Sequence, residues 1–190
     1  MRPPKLIKPY VISFARQIVR ADAVDLFYVP HRPISGASLN DCFAVVAAHI
    51  ASNGGKAVLG WALWERPNVY IEAELHTVWQ APSGEYVDIS PRPVQIPRIL
   101  FLRDPARTYR GVQVDNIRKP FCTDKNVKRF LELASVRFRL FNEGELRNYH
   151  GPVSTTPEML ANAKEIFILE QKIATRYGNW LPESIQHSTL

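Results

Sequence analysis

A pair of adjacent glycines, Gly54 and Gly55, separates two stretches of chain that cannot share a secondary structure. Before it, CFAVVAAHIASN is an alanine- and valine-rich run of helical length, and a glycine pair is a common way to stop a helix. After it come KAVLGWALWE, NVYIEAELHTVWQA and EYVDIS, rich in β-branched and aromatic residues and divided by Pro67 and by the turn sequence APSG. The spacing predicts a helix that starts at Cys42, with Asn40 or Asp41 as its N-cap, followed by about three strands. The strand carrying His76 and the one carrying Asp88 are joined by a tight turn, which makes them hairpin partners with side chains in reach of each other.

PRILFLRD and GVQVDN read as further short strands between proline-rich joints. Beyond them, Val127, Phe130, Leu131, Leu133, Ala134, Phe138 and Phe141 form a 3.6-residue stripe that predicts a helix capped by Thr123 or Asp124. A second helix is expected from Ser154-Thr155-Thr156-Pro157-Glu158, where a hydroxyl cap, a first-turn proline and an early carboxylate coincide, and it should run to Gly178. The expectation is an α+β chain in a single domain over residues 1–190. A nucleophile helix on a small antiparallel sheet makes a catalytic core at about 25–120, and helices follow at about 123–180. An apolar share of 46% over 190 residues suffices for one sizeable core.

The first twenty residues are broken by Lys8, Arg16, Gln17 and Arg20 and read as neither signal peptide nor membrane span. No other apolar run approaches the ~18 residues that a spanning helix needs. A protein cytoplasmic in its producing cell is expected, with delivery to another cell or compartment as the alternative; Cys42 and Cys122 read as thiols rather than a disulfide, and two cysteines exclude a zinc site built on cysteine pairs. No cofactor and no metal site is expected. The net charge of +6 is spread along the chain, so it reads as a solvated surface rather than a nucleic-acid site. A monomer is expected, because the apolar helical stripe is needed for the core.

The chemistry suggested is nucleophilic. A free thiol with a pKa near ~8.5 is mostly protonated at neutral pH and needs activation. A helix N-terminus offers the positive end of its dipole and N–H donors, and a neighbouring histidine can take the proton. Cys42, His76 and Asp88 supply nucleophile, base and base-orienter in that chain order, on helix, strand and next strand. Asn40 is a candidate oxyanion donor, with Tyr28 of an upstream strand as the alternative, although an N-cap role explains Asn40 equally well. Glu72 and Glu74 alternate with His76 along one strand face and are candidates for holding a cationic substrate group or tuning the histidine. Trp61, Trp64 and Trp79 are candidate core or cleft-wall residues, with Trp79 also a candidate substrate contact. His31, His49, His150, His187 and Cys122 read as structural.

Asp41-Cys42-Phe43-Ala44-Val45-Val46 resembles the Asp-Cys-x-Gly-hydrophobic helix start of NlpC-like peptidases, and the segment from His76 to Asp88, HTVWQAPSGEYVD, is similar to their histidine hairpin. The similarity covers residues 38–91. The order with an aspartate third is shared by transglutaminase-like proteins and arylamine acetyltransferases, so the resemblance is to the papain-like superfamily as a whole. It implies an amide-bond hydrolase (peptidase or amidase) acting on a peptide or protein through a Cys42 thioester, or a transferase or glutamine deamidase using the same thioester. Phe43, where small residues are usual, and the short cysteine-to-histidine segment set the chain apart from peptidoglycan-cleaving members. The missing glycine-rich approach to the cysteine argues against acetyl transfer. A binding protein that keeps the scaffold without its activity is the rival expectation from another class.

Overall fold

The computed structural model describes residues 1–39, 41–147, 149 and 153–178. Asn40, His150 and His187, for which sequence expectations were set out, lie outside the described residues. The chain is α+β. Its elements are α1 (Pro9–Val19), β1 (Asp25–Pro30), α2 (Cys42–Asn53), β2 (Lys56–Arg66), β3 (Tyr70–Gln80), β4 (Tyr86–Val87), β5 (Arg98–Arg103), β6 (Ile117–Pro120), α3 (Lys125–Leu140) and α4 (Pro157–Tyr177), with one 3-10 turn at Gly144–Leu146. The described residues fall into two compact units, one from residues 1–65 and 73–108, the other from 66–72 and 109–178. Among the described residues, no helix is long and apolar enough to cross a membrane.

In the first unit the strands lie in the order β1-β5-β2-β3-β4, with β1 antiparallel to β5, β5 to β2 and β3 to β4. The two ends of this order then meet. The Asp88 amide donates to the Pro30 carbonyl at 2.9 Å and the Arg32 amide to the Asp88 carbonyl at 2.9 Å, so the segment after β4 runs parallel beside the end of β1. The sheet is therefore nearly closed, and closure removes an exposed edge. Val29, Val58, Ala62, Val78, Ile99 and Phe101 pack into one buried cluster drawn from β1, β2, β3 and β5. A second cluster joins Val45 and Val46 of α2 to Val87 and Ile89, with Ile50 and Trp79 against it, and seats the helix on the sheet.

The double glycine stops α2 as its position suggests, with Gly54 as C-cap donating its amide to the Ile50 carbonyl at 2.8 Å. Gly55 has a φ of 84°, and a Cβ there would stand 2.3 Å from the Gln80 carbonyl oxygen. The start of α2 is less conventional: Asp41 occupies the cap position without a side-chain cap hydrogen bond. Residues 9–19, which carry no helix expectation above, form α1, with Pro9 in its first turn and Val11, Phe14 and Ala15 buried.

In the second unit, Leu133 of α3 packs against Ile166 and Leu169 of α4, with Phe130 beside them. Both helix starts match their sequence signals: Asp124 accepts from the Asn126 amide, and Thr156 accepts from the Met159 amide with Pro157 next in line. The strand expected at GVQVDN is displaced. Its hydrogen bonds fall later, in β6, where Arg118 reaches Glu72 at 3.2 Å, Asp115 at 2.9 Å and Ser135 at 3.2 Å. That ion-paired fork fixes Ile117–Pro120 as the pairing segment, a choice that the alternation of Val112 and Val114 does not reveal.

Gly60 marks a close approach of β2 to β5, because a Cβ there would lie 2.2 Å from the Leu102 carbonyl oxygen and 2.6 Å from the Phe101 ring. Gly60→Ala should cost about 2 kcal/mol of unfolding free energy in urea, as an overpacked core does. Gly84→Ala, with a φ of 93° but open space around it, should cost about 1 kcal/mol from left-handed strain alone. Equal losses at the two positions would mean that close strand approach is not what Gly60 provides.

Candidate active site

Three elements of the first unit bring Cys42, His76 and Asp88 together. Cys42 is the first helical residue of α2 and is 9% exposed. The hairpin of β3 and β4 closes through a turn in which Ala81 donates to Glu85 and Gly84 to Ala81, and its register pairs Trp79 with Val87. Carrying that register one step past the end of the ladder sets Asp88 across from Val78 and makes His76 its diagonal neighbour on the same strand face. The His76 Nε2 and Asp88 Oδ1 atoms are 3.0 Å apart, with His76 1% and Asp88 0% exposed.

A carboxylate accepts and does not donate, so Nε2 carries the proton of this bond. That leaves Nδ1, which is buried and makes no hydrogen bond. Cys42 stands close enough for its charge and its thiol to favour a proton on the ring, although Nδ1 meets no partner in full hydrogen-bond geometry. The imidazole is therefore held by one nitrogen and available at the other. Burial alone would drive its proton off, but the Asp88 charge, the Cys42 charge and the hydrogen bond to Asp88 outweigh burial and push the His76 pKa up to about 10. Asp88 moves the other way. Burial favours its neutral form, and His76, Arg92 and the Ser90 amide overcome that and hold the carboxyl well below the usual range.

Both carboxylate oxygens of Asp88 have a use. Oδ1 takes the Ser90 amide at 3.2 Å as well as His76, and Oδ2 takes Nε of Arg92 at 3.3 Å. Arg92 is 14% exposed; its Nη1 donates to Glu74 Oε2 at 3.2 Å and its guanidinium lies over the Trp64 ring at 4.6 Å. Trp64 Nε1 donates to the same Glu74 oxygen at 2.8 Å. Glu74, a candidate for substrate or tuning contacts, thus belongs to the cluster through Arg92. Glu72 does not: it pairs with Arg118 in the second unit.

Trp79 is brought to the far end of α2 instead, donating to the Gly54 carbonyl at 3.0 Å and meeting the His49 ring edge-on at 4.5 Å. Tyr28 spends its hydroxyl on the Pro4 carbonyl at 3.0 Å. His31 has both ring nitrogens at backbone carbonyls, Ile96 at 3.1 Å and Ser90 at 3.0 Å, and so ties down the loop that carries Arg92. Cys122 is a free thiol whose Sγ contacts the Val69 carbonyl in the second unit. Among the described residues, no group of three or more His, Cys, Asp or Glu could hold a metal ion.

Arg92 and Ser90 are the members that sequence reasoning passed over. The available signal was the continued alternation Asp88, Ser90, Arg92 beyond the strand, hidden by the prolines at 91 and 93. No family model, curated protein or solved structure matches the chain.

The raised His76 pKa stabilises the fold fully below about 6.5, the ordinary histidine value, and that contribution is lost as pH climbs toward 10. The depressed Asp88 value acts in the opposite sense: its contribution is present above about 4 and lost as the medium becomes more acidic. Urea midpoints should show the gap between wild type and His76→Gln narrowing steadily from pH 6.5 to 10. A constant gap over that interval would mean that His76 is not a buried cation in the folded state.

Proposed function

We propose that the first unit is a cysteine-dependent catalyst of acyl transfer on a papain-like core, cleaving an amide bond of a peptide or protein through a thioester on Cys42. The observation that carries this reading is the buried, unpartnered Nδ1 of His76, oriented from behind by Asp88 and standing near a cysteine at a helix start. The order of the three residues, the nearly closed antiparallel sheet and the helix seated on it also support it. Free thiols at both cysteines support a reducing compartment such as the cytoplasm.

In the proposed cycle, His76 holds the Cys42 proton and the thiolate attacks the substrate carbonyl carbon, forming the C–S bond. The oxyanion forms near the positive end of the α2 dipole, where Asp41 makes no side-chain cap hydrogen bond. Collapse of the intermediate breaks the C–N bond, and His76 passes its proton to the departing amine. Water then gives a proton to His76 and forms the C–O bond, the C–S bond breaks, and the acid leaves with the thiolate restored. An amine in place of water makes the same cycle a transferase.

Burial favours a second reading. With Cys42 9% and His76 1% exposed, the cluster could instead be a structural brace inside a non-catalytic binding protein. Thiol chemistry separates the two. Iodoacetamide should modify Cys42 rapidly at pH 6, as followed by intact mass, and His76→Ala should slow that reaction by about 100-fold, in the range that a positioned base contributes. Slow labelling that rises only above pH 8 and ignores His76→Ala would favour the brace.

A further inference from the structure

Resting on that reading, we infer that Arg92 is a positioning residue that acts with Glu74 as an opposed pair of charges setting how tightly His76 holds its proton. The geometry assigns it two tasks. By taking Oδ2 of Asp88 it leaves Oδ1 for His76 and the Ser90 amide, so the carboxylate has one orientation rather than two. Its Nη2 also stands 3.3 Å from His76 Nε2, so a fixed positive charge faces the imidazole from the same side as the carboxylate.

The second task matters for turnover. A base that has accepted a proton must give it up to the leaving amine, and Asp88 alone favours keeping it. Arg92 offsets part of that pull, and Glu74 in turn offsets part of Arg92. The position of Arg92 is inherited from the sheet: Glu74 is fixed by Trp64 across the β2–β3 pair, the guanidinium rests on the Trp64 ring, and His31 anchors the loop through Ser90 and Ile96. The charged groups facing His76 are Asp88 after β4, Arg92 from the following loop and Cys42 from α2, with Glu74 of its own strand acting through Arg92.

Opposite signs at the two positions give the test. In the full chain, the pH profile of Cys42 alkylation by iodoacetamide and the ring 15N shifts of His76 are followed for wild type, Arg92→Gln, Arg92→Lys and Glu74→Gln. Arg92→Gln should move the His76 midpoint and both limbs of the profile upward by about 1 pH unit, and Glu74→Gln should move them downward by about half as much. Arg92→Lys keeps the charge but cannot hold two carboxylates as a fork, so its midpoint should stay near wild type while alkylation at pH 7 slows about 3- to 10-fold. Movement of the midpoint in one direction for both Arg92→Gln and Glu74→Gln, or in neither, overturns the inference and leaves Arg92 a packing residue. Where Arg92→Gln does not fold, the downward shift in Glu74→Gln and the rate loss without a shift in Arg92→Lys decide. A His76 midpoint that moves as expected while wild-type Cys42 stays inert sustains the role of Arg92 and removes the proposed catalysis.

Discussion

Asp88 is a carboxylate with no exposed surface, and a charge in that position survives only where its surroundings replace the water it has lost. Three groups do so: the His76 ring, the Ser90 amide and the Arg92 guanidinium. The Asp88 main chain has partners of its own, since its amide and carbonyl form the seam that brings the sheet round to Pro30 and Arg32. One residue therefore closes the sheet with its main chain and orients the histidine with its side chain. The two tasks share a register, so a slip of one residue in the β3–β4 hairpin would turn Asp88 to the other face and undo both.

Much of this was legible from residue order. The glycine pair, the APSG turn and the alternation in HTVWQAPSGEYVD are local signals, and local signals sufficed for α2, for the hairpin and for the meeting of His76 with Asp88. The caps of α3 and α4 were legible for the same reason, because a cap is decided within four residues.

What escaped was decided by partners distant in sequence. Arg92 becomes meaningful only once Glu74 and Trp64 are known to stand beside it, and two flanking prolines disguise it as loop. Trp79 looked like a cleft wall on chemistry alone, yet its indole holds the far end of α2 because the hairpin passes there. The strand expected at GVQVDN had adequate alternation, and Arg118 with its three side-chain partners moved the pairing to Ile117–Pro120. Helix α1 has a first-turn proline and a buried Val11-Phe14-Ala15 face that only its packing reveals.

The alternation of sign through Glu74, Arg92, Asp88 and His76 also bears on how such a cluster can change over generations. Loss of Asp88 alone would leave a guanidinium and an imidazole facing each other across 3.3 Å, and loss of Arg92 alone would take from Glu74 its cationic partner and from Asp88 one of its three. Drift by single substitutions is therefore uphill in every direction, and the passable routes replace oppositely charged neighbours together. A set of residues locked in this way keeps its charges together whatever use is made of them.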